Sequence, residues 1–309
     1  MYHHILELAL SSPWAIREEY ATIVGTVIAE RIAGVVVSEQ EIAARIAAAP
    51  PSARASAGDQ ASVAVLSIVG AISHRMELLS QVSARGTSPE MIAQVFRRAM
   101  ADPAVHSIVL DIDSPGGSVF GLREVADEIR AARGSKPIVA VANAIAASAA
   151  YWLASQADEI VVTPSGQVGS IGVYSMHENI REALAKAGRD VTLISYGKYK
   201  TEGNPFEPLS DEARSASQAE VDAYGDMFER AVAAGRGVPI ETVRESFGQG
   251  RMVMAKDAVA RGMADRVATL DTVVRDLARR HATAQRQQAA AAADLAARQT
   301  RVARQAALS

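Results

Sequence analysis

Cysteine is absent from the 309 residues, which excludes disulfides, thiolate metal sites and a cysteine nucleophile together. Neither sign of charge is in large surplus: 32 Lys and Arg stand against 35 Asp and Glu, a formal net charge of -3. That balance leaves no electrostatic footprint for a dedicated nucleic-acid binder. No run is long and oily enough to span a membrane. Residues 21–37 carry Glu30 and Arg31 at their centre, where two charges are too costly. Residues 138–154 have only Asn143, Ser148 and Tyr151 as side-chain polar groups, but the run falls short of the roughly 20 residues a span requires. The opening residues lack a basic stretch leading into an apolar one, so no secretory leader is expected. What is present is 49% apolar residues, enough to bury a large core. A cytoplasmic protein without a membrane span, a cofactor or a metal is the expectation.

Along the chain, residues 1–49 read as a helical N-terminal extension. Pro13 suits a first helical turn, and apolar residues recur at Ile16, Tyr20, Ile23, Val24, Val27 and Ile28, then at Ile42 and Ile46. Residues 50–61, opening Pro50-Pro51-Ser52 and reaching Gly58-Asp59, are rich in breakers and read as a linker. From 62 to 275 short apolar runs alternate with longer helical ones. Strands are expected at 63–68, 107–112, 138–141, 159–162 and 191–195. Helices are expected at 88–100, with Ser88 as cap and Pro89 in the first turn, and at 119–132. Such alternation predicts crossover connections and an α/β core. Residues 276–309 are Ala-rich, with six arginines against two aspartates. They read as a helix-prone basic tail, either a solvated extension or a helix that binds a partner or itself.

Two segments are suited to chemistry. Asp111-Ile112-Asp113-Ser114-Pro115-Gly116-Gly117-Ser118 joins a buried strand to a helix. Its glycines permit positive φ and close backbone approach, so the Gly117 N–H can be aimed at a developing oxyanion. A plain tight turn is the competing reading. Phosphate binding is weaker, because neither a G-x-G-x-x-G spacing nor a P-loop lysine is present. The second segment, Asn143-Ala144-Ile145-Ala146-Ala147-Ser148-Ala149-Ala150-Tyr151-Trp152, sets Ser148 among alanines at an expected helix start, its hydroxyl unshielded. The Ala149 N–H could then complete a two-donor hole. On composition alone, a serine there is more often a small packing residue.

A serine nucleophile needs a base. Among the histidines, only His177, soon after Gly169-Ser170-Ile171-Gly172-Val173, is a candidate by position. Lys200, in Ser195-Tyr196-Gly197-Lys198-Tyr199-Lys200-Thr201, is the other. Desolvation among aromatic and small residues would lower its pKa toward neutrality and free the amine to take a proton. Lys198 reads as a solvated loop lysine.

Five motifs then stand in order: Asp113-Ser114-Pro115-Gly116-Gly117; Ala146 to Trp152; Gly169 to Val173; Gly197-Lys198-Tyr199-Lys200; and Gly250-Arg251 with Ala258, Gly262 and Asp265. Over roughly residues 60–275 they resemble the signal peptide peptidase A family of serine peptidases, and most of all its branch of phage capsid-assembly (head maturation) proteases. The resemblance implies a ClpP/crotonase-like α/β core of repeated β-β-α units at 62–275, between the helical N-terminal extension and the Ala/Arg-rich helical tail. It implies a Ser–Lys dyad, with Ser148 on the nucleophile position and Lys200 on that of the general base. Ser170 matches a hydroxyl that helps hold the lysine amine, and Gly117 matches the oxyanion-hole glycine. Ala149-Ala150 departs from the two glycines common in cellular members, and the added methyls are expected to narrow the approach to the nucleophile.

The phage branch is favoured by the lack of a membrane anchor before the domain and by Ser12-Pro13-Trp14-Ala15-Ile16, which resembles N-terminal segments of the phage proteins. The resemblance further implies a ring-forming homo-oligomer, with the serine and lysine of one site drawn either from one subunit or from neighbouring ones. Implied substrates are capsid scaffold or portal proteins and the chain's own termini, in host cytoplasm or immature virion. The nearest alternative is a cytosolic bacterial signal-peptide-degrading peptidase. From other classes, a crotonase-type acyl-CoA enzyme and a non-catalytic assembly scaffold compete.

Overall fold

The computed structural model describes residues 14–16, 53–55, 63–74 and 86–306. In chain order the elements are β1 (Trp14–Ile16), β2 (Ala53–Ala55), β3 (Val63–Val69), β4 (Ala71–Ile72), β5 (Gly86–Thr87), α1 (Pro89–Ala101), β6 (Ser107–Ser114) and β7 (Gly116–Ser118). Next come α2 (Leu122–Ala131), β8 (Ile138–Ala147), α3 (Ala149–Ala154), β9 (Glu159–Val162), β10 (Gln167–Gly169) and α4 (Arg181–Lys186). The chain ends with α5 (Asp211–Arg236), α6 (Ile240–Ser246), β11 (Met252–Met254), α7 (Ala255–Ala260), β12 (Arg266–Val267) and α8 (Leu270–Ala306).

The larger sheet runs β11-β10-β8-β6-β3-β2, with β9 joined to β8 and β12 to β9. Its central pairs, β3 with β6, β6 with β8, and β8 with both β9 and β10, are parallel. Strand alternation decides which side each residue serves. Ile108, Leu110 and Ile112 of β6, with Ile138 and Ala140 of β8, are buried with Ile92 and Phe96 of α1 and Leu122 and Ile129 of α2. Val109, Val139, Val141 and Val161 belong to the opposite layer, where Val273, Val274 and Leu277 of α8 cover them. Helices on both faces of a mostly parallel sheet make the expected α/β architecture. A smaller sheet has the order β1-β7-β4-β5, so β7 lies between β1 and β4.

Local chemistry explains much of this. Ser88 caps α1, its Oγ accepting from the Met91 N–H at 3.2 Å, and Pro89 stands in the first turn. α2 begins later than expected, at Leu122. Residues 116–118 are drawn into β7, and Gly121, with φ 74°, breaks the chain before the helix.

Most of residues 1–49 and 50–61, read as helix and linker, lie outside the described residues. Where they do not, strands replace those readings. Trp14–Ile16 pairs antiparallel with β7, and Ala53–Ala55 pairs antiparallel with β3, because open sheet edges offer backbone partners that a short local pattern does not reveal. Residues 142–147 lie beyond the strand expected at 138–141 but continue β8. Ala146 pairs with Ser114 on one side, and residues 145–147 pair with β10 on the other, a ladder that overrides alanine's helix propensity. Residues 191–195 have strand composition but no strand partner among the described residues, and are mostly exposed. The basic tail is helical through Ala306, in a helix that starts at Leu270. Among the described residues no helix is long and apolar enough to cross a membrane.

Candidate active site

Three of the sequence motifs sit at the carboxyl ends of adjacent parallel strands, the end where open α/β sheets collect ligands. β6 delivers Ser114-Pro115-Gly116, β8 delivers Ser148 and β10 delivers Ser170. The register fixes their order: Ser114 lies opposite Ala146, and Gly169 opposite Ala147. Ser114, which its sequence motif does not single out from its neighbours, organises the first turn. Its buried hydroxyl donates to the Gly70 carbonyl at 2.7 Å and accepts from the Gly116 N–H at 3.2 Å. A polar residue before Pro-Gly-Gly is the signal that could have marked it. Gly117 has a steric reason to be glycine, since a Cβ there would lie 1.7 Å from the Ile72 carbonyl oxygen.

Ser148 stands where β8 becomes α3. Its φ of 52° and ψ of −118° are rare for a side chain with a Cβ, and surrounding bonds hold it there. The Ser148 N–H donates to the Gly169 carbonyl at 2.7 Å, and its own carbonyl accepts from the Trp152 N–H at 2.9 Å. The residue is 1% exposed, and its hydroxyl makes one loose contact, donating to the Gly172 carbonyl at 3.5 Å. Ala149 and Ala150 are fully buried members of the main core. As first-turn residues of α3, their N–H groups have no acceptor within the helix.

The rest of α3 is fastened. Trp152 stacks on Phe228 with ring centroids 4.7 Å apart, and the Tyr151 hydroxyl donates to the Met263 carbonyl at 2.8 Å. At its carboxyl end the Arg133 guanidinium donates to the carbonyls of Ser155 at 3.2 Å, Gln156 at 2.8 Å, Gly235 at 2.8 Å, and Ala157. A fork-shaped cation suits such a cluster of C-terminal carbonyls. Arg133 acts by positioning, and nothing local in the sequence marks it, because its partners lie 22 to 102 residues away.

Among the described residues no hydrogen bond joins the candidate bases Lys200 and His177 to the Ser148 hydroxyl. Lys200 lies in a turn, its N–H donating to the Gly197 carbonyl at 3.2 Å. It is exposed, with no hydrogen-bond partner for its amine among the described residues. The burial expected around it is not supplied by the described residues, because residues 192–200 are exposed, Ile194 97% and Tyr196 101%. Lys198 is exposed, as expected of a solvated lysine, and pairs with Glu212 at 3.0 Å. The Tyr199 hydroxyl and the Glu212 carboxylate hold its amine further into the charged range. His177 directs Nε2 to the Asn204 carbonyl at 3.0 Å. Ser170 has φ 53°, and its N–H donates to the Arg251 carbonyl at 3.0 Å.

Two carboxylates approach the first turn along β6. Burial pushes the Asp111 carboxyl up from its ordinary range; the Asn143 amide, donating at 3.0 Å, pulls the other way, and the charge of Asp113 adds to the rise. Burial also raises Asp113, against the Ile145 N–H. Among the described residues no cluster of His, Asp and Glu could hold a metal ion.

A buried hydroxyl at a constrained strand-to-helix junction, beside helix amides with no internal acceptor, has two of the parts that serine acyl transfer uses, and lacks the base among the described residues. Residues 130–284 match the model of peptidase family S49. The chain belongs to that family of serine peptidases, whose ClpP/crotonase-like fold accounts for the parallel sheet and its flanking helices. Capsid assembly protease C of Escherichia phage lambda is 32% identical over 290 residues, covering 88% of this chain and 65% of that protein. Head-tail preconnector protein GP5 of Enterobacteria phage P21 is 37% identical over 203 residues, 66% of this chain and 40% of that one. Serine protease SPPA, chloroplastic, of Arabidopsis thaliana is 28% identical over 221 residues, 70% and 32% respectively. The chain spans less than two thirds of the length of each of these relatives.

Proposed function

We propose that the chain is a serine endopeptidase that works through Ser148 and Lys200 on proteins of an assembling phage head. One observation carries the chemistry: in a chain of a serine peptidase family, Ser148 is buried and conformationally constrained at the carboxyl end of β8. A neutral Lys200 amine takes the hydroxyl proton as Oγ bonds to the scissile carbonyl carbon. The N–H groups of Gly117 and Ala149 receive the oxyanion, and the Ser170 hydroxyl orients the amine. The Lys200 ammonium then returns the proton to the leaving amine as the C–N bond breaks, and water repeats the sequence on the acyl-enzyme.

Assembly supplies what the protomer lacks. The exposed arm carrying Lys200 reaches the site of a neighbouring copy in a ring, where burial of Ile194 and Tyr196 desolvates the amine. Support for the phage role comes from the relatives named for capsid assembly and head-tail connection, the first aligning over 88% of the chain. Substrates on this reading are scaffold or portal-region proteins, in host cytoplasm or immature particle, together with the chain's own termini. Trp14–Ile16 supports the last of these, because it lies extended and antiparallel on β7 with Ala15 opposite Gly117.

A serine-directed acylating probe tests the chemistry. Labelling of Ser148 that is lost in Lys200→Ala supports the dyad. An unlabelled protein that binds acyl-CoA esters tightly would replace this reading with a crotonase-type enzyme. Offering scaffold, portal protein and free signal peptides in parallel tests the role, and cleavage of the signal peptides alone overturns the phage assignment.

A further inference from the structure

The loop that receives the Ser148 hydroxyl also forms the wall of a cavity. Gly172 accepts from Ser148 Oγ, and the next residue, Val173, lines a space of about 460 Å³. Successive Cα atoms are about 3.8 Å apart, so a wall of the cavity begins one residue along the chain from the carbonyl that meets the candidate nucleophile. Its other walls include Tyr174, His177, Leu209, Arg214 and Gln218, from the loop after β10 and the first turns of α5. The volume falls in the range of sites that hold a small ligand or a large side chain.

The charge of this lining is one-sided. It contains Arg214 and no carboxylate. Arg214 has no ion-pair partner among the described residues. The acidic residues nearest in sequence do not answer it, since Asp211 and Glu212 are not in the lining and Glu212 is engaged by Lys198 and Tyr199. His177 is tied through Nε2 to the Asn204 carbonyl, which leaves Arg214 as the charged group that can greet a ligand. Val173 and Leu209 offer apolar surface to an aliphatic stem, while the Gln218 amide is engaged by the Asp222 carboxylate at 2.7 Å, a group outside the lining.

We propose that this cavity is a specificity subsite that binds a carboxylate of the peptide to be cleaved, with Arg214 as its partner. The inference rests on the peptidase reading above and adds the chemical class of the substrate. A guanidinium is built for bidentate pairing with a carboxylate. The mixed apolar and cationic lining suits an acidic side chain with a methylene stem, glutamate above all; a chain-terminal carboxylate presents the same chemistry.

The test uses the full chain and two sets of fluorescent peptides. One set has an internal Glu, Gln or Lys and an amidated C-terminus; the other is neutral with a free C-terminal carboxylate. Cleavage is read as kcat/KM, and binding as anisotropy on Ser148→Ala protein. Glu peptides should exceed their Gln counterparts by about tenfold, as expected for a charge-assisted hydrogen bond. Arg214→Gln should erase that ratio, and Arg214→Glu should turn it toward Lys peptides. A ratio unchanged in both variants overturns the proposal, as does a wild-type preference for the amidated Gln peptides over every carboxylate-bearing one. Preference for the second set alone assigns the carboxylate to a chain terminus. Arg214-dependent binding of Glu peptides without cleavage sustains the subsite and sinks the peptidase reading. Cleavage without acidic preference does the reverse.

Discussion

The Ser148 N–H donates to the Gly169 carbonyl at 2.7 Å, which binds the end of β8 to the end of β10 at the residue whose hydroxyl is proposed to attack. Gly169 itself has φ 123°, and a Cβ there would lie 2.7 Å from the Arg251 carbonyl oxygen. Gly169→Ala is therefore predicted to destabilise the protein by about 2 kcal/mol or more, combining backbone strain with a clash against main chain. Because the same residue anchors Ser148, labelling by an acylating probe should fall further than the loss of folded protein accounts for. Denaturant unfolding and probe labelling on one preparation separate the two effects.

Ser148→Ala and Lys200→Ala are each predicted to lower peptide cleavage by about 10⁴-fold or more, and the double variant to be no worse, as for groups that act as a unit. Because Lys200 is exposed in the protomer, its partner serine is expected on a neighbouring copy. Mixing the two inactive variants under conditions that allow subunit exchange should then restore activity, since some sites regain an intact pair. If both members of a pair belong to one protomer, no mixed assembly contains a complete site and the mixture stays inactive.

Some of this arrangement was legible from local sequence. Ser88-Pro89 announced α1, the apolar runs at 63–68, 107–112 and 159–162 announced parallel strands, and Gly117 and Ser148 stood out by their setting. These are signals within a few residues. What was not legible depends on distant partners. Residues 143–147 look helical until β6 and β10 are set on either side of them. Residues 191–195 look like a strand but find no partner edge among the described residues. Trp14–Ile16 becomes a strand because β7 offers it an edge more than 100 positions away. The desolvation expected of Lys200 also depends on a distant partner: flanking aromatics suggest burial, and Tyr196, exposed here, needs a further surface to cover it.

The occupied edge of β7 leads to another prediction. A substrate that pairs with the strand holding Gly117 meets Trp14–Ile16 already in place. Ala15→Pro, which removes a backbone donor from β1, and deletion of residues 1–16 should both raise cleavage of added peptides several-fold. Intact-mass analysis of the wild type should also show loss of an N-terminal segment over time. Unchanged turnover in both variants, with melting temperature preserved, would mean that substrates do not use that edge.

Opposite pH signatures are predicted for two aspartates. Burial raises the folded-state pKa of Asp111, so its contribution favours the fold while it is protonated and is lost as pH rises through that raised value. Asp111→Asn should therefore melt higher than wild type at pH 7, with the gain vanishing below about pH 4, where the aspartate is neutral in both states. For Asp265 burial also pushes upward, but it is outweighed by Arg236, which donates to both carboxylate oxygens at 2.7 and 3.0 Å, and by the Ile160 N–H at 2.7 Å. Its folded pKa is lowered, so that stability is present above the unfolded value and lost as pH falls through the folded one. Asp265→Asn should weaken the protein at pH 7 by about 2 kcal/mol, less than a fully buried pair would lose because Asp265 retains 40% exposure. Melting curves from pH 3 to 8 should thus show the two variants departing from wild type in opposite directions at neutral pH and converging on it in acid. Parallel shifts would contradict the assigned surroundings of one of these carboxylates.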